Sequence, residues 1–408
     1  MKKKDKKAAV GFVFITLLLD ITGWGIILPV VPKLIGELIQ GDLSQAATYG
    51  GWLGFAYAFT QFVFAPLVGN LSDRYGRRPI ILLSLFGFSM DYLLLALAPS
   101  ISWLFVGRVI AGLTGASIST ASAYIADVST DENRTKNFGL IGAAFGLGFI
   151  IGPVLGGLLG HYGARVPFYV AAVLCFLNFL YGYFMLPESL AKSKRRPFEW
   201  KRANPMGSLM FLFKQPKIAT LVFALVFVYL GLHAVQSNWH FFTMYKFNWT
   251  ARQVGISLGV LGLCIGLVQG VLIRWSAPKL GEQKSIYLGL LFYALGLLLF
   301  AFANQSWMMY VFLLPYALGG ICGPSLQSFL SKSISANQQG ELQGALTSLV
   351  SVTSIIGPPL MTNLFYYFTQ EDAPPTFAGA PFLVAAILML MSVGLVYFSF
   401  KNYHKQEV

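Results

Sequence analysis

Residues 8–31 of the chain have the sequence AAVGFVFITLLLDITGWGIILPVV, an apolar run interrupted by one acidic side chain, Asp20. A helix needs about 20 apolar residues to cross a lipid bilayer, and this run is long enough to do so. Five lysines precede the run within residues 2–7, as in a signal peptide. The run is nevertheless too long for a signal peptide and shows no clear small-residue cleavage site. We therefore expect an uncleaved first membrane span.

The composition extends this interpretation to the whole chain. Of its 408 residues, 56% are hydrophobic and only 11% are charged, whereas soluble domains carry about 25% charged residues. Further apolar stretches of similar length follow at short intervals, so we predict an all-α membrane protein with twelve transmembrane helices. The predicted spans are 8–35, 47–71, 79–98, 101–126, 136–160, 166–186, 217–243, 252–276, 284–303, 306–330, 341–366 and 378–400.

The distribution of basic residues predicts the orientation. The net charge of +13 would suggest a nucleic-acid partner in a soluble protein, but here the basic residues lie between the spans. If the N-terminus is cytoplasmic, 24 of the 29 Lys and Arg residues lie on the inner side and four on the outer side. This asymmetry predicts cytoplasmic termini and no nucleic-acid partner. Cys175, Cys264 and Cys322 lie in apolar stretches without metal-ligand spacing, so we expect neither a metal site nor disulfides.

A polar segment near the middle divides the chain into two halves. It covers Pro187–Pro216 and is rich in Lys and Arg. We predict a six-helix bundle over residues 1–186, a cytoplasmic basic linker over 187–216 and a second six-helix bundle over 217–408. The linker either contacts anionic lipid headgroups or is only a solvated tether. A weak repeat supports the halves, because the Gly76 turn and the Gly-Pro pair at 152–153 recur 205 positions later.

The loop between the second and third spans has the sequence GNLSDRYGRRP, residues 69–79. Its glycines permit a tight turn between two helix ends, and its aspartate can form a breakable pair with a guanidinium. Asp127, at the inner end of span four, can join this charge relay or remain a solvated helix-end acid. A tight basic turn that serves only topology is the alternative. The candidate gating residues are Gly69, Asp73, Arg74, Gly76, Arg77, Arg78 and Asp127.

Span five contains the sequence GFIIGPVLGG, residues 148–157. Small residues at every fourth position form a groove for a neighbouring helix. The proline leaves a carbonyl unpaired and favours a kink. Gating at this kink and ordinary close packing are the two interpretations. The residues concerned are Gly148, Gly152, Pro153, Gly156 and Gly157.

Three ionisable residues fall well inside predicted spans: Asp20, Asp91 and Arg108. A charge at the centre of a bilayer costs about 2.5 kcal/mol or more, so these side chains should face the protein interior and pair or be neutral. A carboxyl that alternates between a dry site and water or Arg108 takes up and releases a proton. We therefore interpret the three residues as candidates for proton coupling. One alternative is a static buried network that fixes helix packing. Another is that Arg108 bonds backbone carbonyls freed by a break at the Gly and Pro residues of span one.

Uncharged polar side chains inside the spans are candidates for a substrate cavity. Amide and hydroxyl groups are costly toward lipid, so we expect them to face the interior. Hydrogen bonds between helices are the alternative for each of them. The candidates are Tyr57, Gln61, Ser117, Tyr229, His233, Gln236, Asn238, Gln269, Gln327 and Ser351.

The 2–3 loop resembles the signature loop of the major facilitator superfamily, and span five is similar to the glycine–proline motif of its drug/proton antiporters. Segments along nearly the whole chain, together with these two, resemble the tetracycline/proton antiporter family. The resemblance implies a monomeric bacterial inner-membrane transporter that exports a hydrophobic or amphipathic small molecule by alternating access. Protons would be the coupling ion, with no cofactor. The further segments are 19–32, 90–96, 107–116, 339–344 and 353–358.

Two departures concern the substrate. Gly262 stands where the resemblance implies a histidine in helix eight, and the ninth span carries no acidic residue. The family pattern thus suggests a substrate that is more apolar or cationic than tetracycline. An importer or uniporter of a metabolite or siderophore-like compound is an alternative, and a non-transporting receptor is another. An enzyme is not expected, because no nucleophile–base pair, metal cluster or phosphate loop is found.

Overall fold

The protein is described by a computed structural model in which the chain is helical without strands over the described residues. The described residues include twelve helices that are long and apolar enough to cross a membrane, which confirms the predicted number of spans. The described residues are 3–115, 117–130, 133–198, 219–334, 338–370 and 375–407.

The helices follow the predicted spans closely. In the first part of the chain they are α1 (Lys3–Ile27), α2 (Val31–Ile39), α3 (Leu43–Tyr75), α4 (Arg77–Leu97), α5 (Ile101–Thr114), α6 (Ser117–Val128), α7 (Arg134–Leu159) and α8 (Val166–Met185). In the second part they are α9 (Ala219–Phe247), α10 (Ala251–Leu267), α11 (Ile273–Phe302), α12 (Ser306–Leu318), α13 (Cys322–Lys332), α14 (Gln339–Tyr367) and α15 (Ala380–Glu407). A π-helical turn, Val268–Leu272, joins α10 to α11.

The predicted first span, 8–35, is wrong at its C-terminal end. Helix α1 ends at Ile27, a turn follows over 28–30, and the short helix α2 begins at Val31. Two prolines explain the break. Pro29 has no N–H to continue the ladder of α1, and it disfavours helical backbone at the residue before it. Pro32 falls in the first turn of α2, where a missing N–H costs nothing.

The glycines of span five allow its backbone to touch that of span one. A Cβ on Gly152 would lie 2.7 Å from the Thr22 carbonyl oxygen, and a Cβ on Gly156 would overlap the Ile26 carbonyl. The neighbouring helix that the four-residue spacing predicts is therefore α1. On its other face α7 meets the start of α10, where a Cβ on Gly157 would lie 2.7 Å from the Ala251 carbonyl oxygen.

The chain forms two compact units, each grouped by its own internal contacts. The first contains Met1–Gly41, Ala56–Asn204 and Thr250–Gly262, and the second contains Asp42–Phe55, Pro205–Trp249 and Leu263–Val408. In the first unit α1 packs on α7, and α4 packs on α8 and α5. In the second, α9 packs on α14 and α15, and α11 packs on α12 and α15. The division into halves at the linker stays a prediction about the order of the spans.

The repeat of 205 positions is visible in the helix boundaries. Helix α4 begins after Gly76, whose φ is 109°, and α11 becomes regular after Gly281, whose φ is 71°. The helix ends at Leu97 and Phe302 are also 205 positions apart. Span four breaks at Gly115, and span ten passes through a 3₁₀ turn at Gly319–Ile321. The chain therefore contains two structural repeats of the same span pattern.

The close approach of α1 and α7 gives a direct test. We expect Gly156→Ala to lower the thermal unfolding temperature in detergent, because its methyl group forces two helix backbones apart and overpacking costs about 1–3 kcal/mol. Gly142→Ala is the matched control on the same helix, since a Cβ there has nothing within 4 Å. Equal unfolding temperatures for the two variants would contradict this packing.

Candidate functional site

A buried ion pair joins the third and fourth spans of the first unit. The Arg108 guanidinium donates through Nη2 to Oδ2 of Asp91, and the two side chains are 12% and 1% exposed. Gly107 makes room for the carboxylate, because a Cβ on this residue would lie 2.7 Å from Oδ1 of Asp91. Two of the three charges predicted inside spans therefore pair with each other.

Asp20 belongs to the same buried cluster. It is 8% exposed on α1, one turn before Gly23, which faces both Tyr92 and Cys175 at 3.5 Å from its Cβ position. The charges of Asp20, Asp91 and Arg108 all act on the hydroxyl of Tyr92. They act likewise on the hydroxyl of Tyr57 from α3. The three ionisable residues thus share one polar cluster, which we call the charge cluster (Asp20, Tyr57, Asp91, Tyr92 and Arg108).

Gln61 stands beside the charge cluster at the break in span four. Its Nε2 donates to the Gly115 carbonyl oxygen at 2.8 Å and to the Tyr57 hydroxyl at 3.0 Å. The carbonyl lies where α5 ends, so it lacks the N–H of a continuing helix. Gln61 therefore makes a hydrogen bond between helices, and its contact with a substrate stays a prediction. The Arg108 side chain pairs with Asp91, whereas the alternative placed it on carbonyls near the break in span one.

The 2–3 loop holds a second charge network at the ends of the helices. Nη1 of Arg77 lies 2.6 Å from Oδ1 of Asp73, and its Nε donates to Oδ2 of Asp127 at 3.3 Å. The structure therefore brings together three of the residues predicted for the relay. Arg74 is outside this network and lies over the Tyr75 ring at 5.2 Å. Arg78 donates instead to the Tyr183 carbonyl at 2.6 Å.

Glu188 completes this network and was not among the predicted site residues. Its Oε1 accepts the Arg77 backbone N–H at 2.9 Å and its Oε2 accepts the Arg78 N–H at 3.3 Å. These are free N–H groups at the first turn of α4, where a carboxylate also complements the helix dipole. Gly76 permits the approach, since a Cβ there would overlap the Glu188 carboxylate.

The beginning of the linker is bound to the 2–3 loop. The Arg196 N–H donates to the Asp73 carbonyl at 3.2 Å, and the Ser189 hydroxyl donates to Asp127 at 3.0 Å. Over residues 187–198 the linker is therefore more than a tether. The remainder of the predicted linker, 199–216, lies outside the described residues.

In the second unit two of the predicted polar residues line one cavity. Tyr229 and Gln327 contribute to a pocket of about 340 Å³ together with Gln343 and Thr347. Nε2 of Gln327 donates to Oε1 of Gln343 at 3.1 Å. Ser351 lies one turn beyond Thr347 and donates to its carbonyl at 3.1 Å. The lining is otherwise apolar and, among the described residues, carries no charge.

The other predicted cavity residues lie elsewhere. His233 is buried against Gly357, where a Cβ would overlap the imidazole, and Asn238 is fully buried on the same helix. Gln236 and Gln269 are exposed on the protein surface. The side chain of Ser117 lies outside the described residues. Within the second unit, the cavity therefore contains two residues of the predicted set, and a substrate role for the others stays a prediction.

Comparisons with known proteins place this architecture. A family model described as the Major Facilitator Superfamily matches residues 13–358 and, again, 221–407. The chain is 40% identical over 380 residues to the tetracycline resistance protein, class C, of Escherichia coli, covering 92% of this chain and 93% of that protein. It is 36% identical over 390 residues to the class H protein of Pasteurella multocida, covering 95% of each. A solved structure, the human organic anion transporter TETRAN, is similar with a TM-score of 0.70 and 25% identity, covering 96% of this chain and 99% of that chain.

The buried ion pair can be tested by a double-mutant cycle. We expect Arg108→Gln alone to destabilise the protein by about 3–5 kcal/mol, because it leaves the Asp91 carboxylate buried without its partner. Asp91→Asn/Arg108→Gln removes both charges and should lose much less. Thermal unfolding of the purified variants measures the difference. A double variant as unstable as the single one would show that the pair is not coupled.

The capping role of Glu188 predicts a local change. We expect Glu188→Ala to speed hydrogen–deuterium exchange in peptides that cover residues 77–82, since the first N–H groups of α4 lose their acceptor. The control is Glu37→Ala, which removes an exposed glutamate from α2. Mass spectrometry of both variants reports the exchange rates. Unchanged exchange at 77–82 in Glu188→Ala would refute the cap.

Proposed function

Because the chain belongs to the Major Facilitator Superfamily, whose members are transporters and not enzymes, we propose that it is a proton-coupled secondary transporter that exports a hydrophobic or amphipathic drug. The observation that carries the proposal is 40% identity to a tetracycline resistance protein over 92% of the chain. Its twelve candidate spans make it a multi-pass membrane protein. Export by alternating access, with the site open to one side at a time, is the mechanism typical of this superfamily.

We assign proton coupling to the charge cluster. Asp91 is held by the Arg108 guanidinium, whereas the buried Asp20 carboxylate lies on another helix of the same cluster. A carboxyl that moves between a cationic partner and a dry environment must exchange a proton, because an ionised group is costly without a partner. Asp20 is therefore the first candidate for the proton carrier, with Asp91 and Arg108 setting its surroundings.

The second unit supports the proposed class of cargo. One of its cavities, of about 340 Å³, falls within the usual size of small-molecule sites. Hydroxyl and amide groups of Tyr229, Gln327 and Thr347 can orient a ligand while the apolar walls bury it. We propose that this uncharged lining contacts an amphipathic substrate.

Gly262, which stands where the family pattern implies a histidine, is packed against span five. A Cβ on Gly262 would lie 3.0 Å from Cγ1 of Ile150 and 3.4 Å from the Phe149 carbonyl oxygen. A larger side chain at this position would therefore press first on the Ile150 side chain of span five. We propose that the substrate is contacted differently here, so that tetracycline is the first compound to test within a wider panel of amphipathic drugs.

We extend the proposal to the setting of the protein. The basic segments support cytoplasmic termini, and the relatives support a bacterial inner membrane. The order of the spans supports two six-helix halves, 1–186 and 217–408, joined by the linker. We also propose that the protein works as a monomer in contact with membrane lipids, with protons as its coupling ion and no further cofactor, metal or nucleic acid.

Transport in inside-out membrane vesicles tests the function. With an acidic lumen, we expect the wild-type protein to accumulate tetracycline or another drug of the panel. Asp20→Asn should abolish gradient-driven accumulation while expression and drug-induced thermal stabilisation persist, because only the proton exchange is lost. Glu37→Gln, an exposed acid, is the control and should transport normally.

Two outcomes would contradict the proposal. If Asp20→Asn accumulates drug at the wild-type rate, the proton role of Asp20 is wrong. If the wild-type protein moves no compound of the panel under a proton gradient, drug export itself is wrong.

A further inference from the structure

We call the ion pair between Arg77 and Asp127 the latch of the 2–3 loop. It has a counterpart 205 positions later in the second unit, where the two charges are exchanged. Arg77 corresponds to Glu282, and Asp127 corresponds to Lys332. The first pair is cation then anion, whereas the second is anion then cation. Both pairs are closed: Nε of Arg77 donates to Oδ2 of Asp127 at 3.3 Å, and Nζ of Lys332 lies 2.7 Å from Oε1 of Glu282. The pairing is thus repeated although the sign of each charge is not.

Each pair joins the same two places of its repeat. Arg77 is the first residue of α4 after the glycine turn, and Asp127 lies at the end of α6. Glu282 follows Gly281, which has non-helical backbone inside α11, and Lys332 is the last residue of α13. In both units the ion pair therefore joins a tight glycine turn to the C-terminal end of a later span. This span is span four in the first unit and span ten in the second.

A serine hydroxyl supports the acid in both pairs. Ser189 donates to Asp127 at 3.0 Å, and Ser328 donates to Oε1 of Glu282. A hydroxyl can equally accept a hydrogen bond from a cation. The site at Ser328 therefore tolerates either sign of charge at position 282.

The second pair is the simpler of the two. Arg77 is shared between Asp73 and Asp127, but the position equivalent to Asp73 is Pro278, which carries no charge. The Lys332 side chain is 72% exposed and that of Glu282 is 28% exposed. Exposed pairs contribute little to folding stability, so a loss of function after their removal would not come from unfolding.

We propose that Glu282 and Lys332 are positioning residues of a second gate latch, which holds the turn at Gly281 against the end of span ten and opens and closes during transport. The proposal rests on the proposed transport function and adds a residue pair to it. An ion pair that forms in one conformation and breaks in another biases the equilibrium between them by its own interaction free energy. Removal of the pair should therefore change the rate of the transport cycle without removing any contact with the substrate.

Charge reversal tests the latch. We expect Glu282→Gln and Lys332→Gln each to lower the maximal rate of gradient-driven drug uptake by roughly two- to fivefold, the range set by an exposed pair. Glu282→Lys/Lys332→Glu restores the pair with the polarity of the first unit and should recover most of the rate. Lys284→Gln, an exposed lysine of the same turn, is the control and should transport as the wild type does.

A second readout needs no transport. Hydrogen–deuterium exchange of peptides over residues 281–286 should rise in both single variants and return to the wild-type rate in the exchanged one. Wild-type rates in both single variants, or no recovery in the exchanged variant, would overturn the latch while wild-type transport leaves the proposed function intact. If the wild-type protein transports nothing, the proposed function fails, and unchanged exchange in the single variants would then overturn the latch as well.

Discussion

A bilayer offers no water to a charge or to a backbone carbonyl, and this constraint accounts for the main features of the protein. The backbone of a lipid-exposed segment must satisfy its own hydrogen bonds, so the spans are helices. Where a helix breaks, the protein supplies the missing partner, as Gln61 does for the Gly115 carbonyl. The Asp91 carboxylate, which lies inside a span, has a partner of opposite sign in Arg108.

The constraint is met differently in the two repeats. The positions equivalent to Asp91 and Arg108 are Gly296 and Leu313, so the buried ion pair has no counterpart in the second repeat. There, α11 packs so closely on α12 that a Cβ on Gly296 would lie 2.7 Å from Tyr316. The second unit instead has a cavity lined by neutral polar groups. This division supports a first half that handles protons and a second half that selects the cargo.

The sequence predicted the features that depend on local pattern. The lengths of the apolar stretches predicted the twelve spans. The cost of a charge inside a span predicted that Asp91 and Arg108 would pair or be neutral, and they pair. The predicted C-terminal end of span one was wrong, although Pro29 and Pro32 indicate a break there.

Features that depend on distant segments were not predictable in the same way. Glu188 caps α4 from 111 positions away, and only its acidity within a basic segment hinted at a role. The sequence shows that the equivalent positions Arg77 and Glu282 carry opposite charges. It does not show which residues pair with them, because those partners come from other parts of the chain. Likewise, only the packing shows that Gly262 lies against Phe149 and Ile150 of span five.

Proton release on drug binding tests most directly whether Asp20 carries the proton that is exchanged for the drug. A purified sample in weakly buffered detergent solution is titrated with drug while the pH is recorded. We expect the wild-type protein to release protons as it binds drug and Asp20→Asn to bind drug without releasing any. The contrary result would be that the wild-type protein binds drug and releases no protons between about pH 5 and 9. Carboxyl groups in protein interiors titrate over roughly this range.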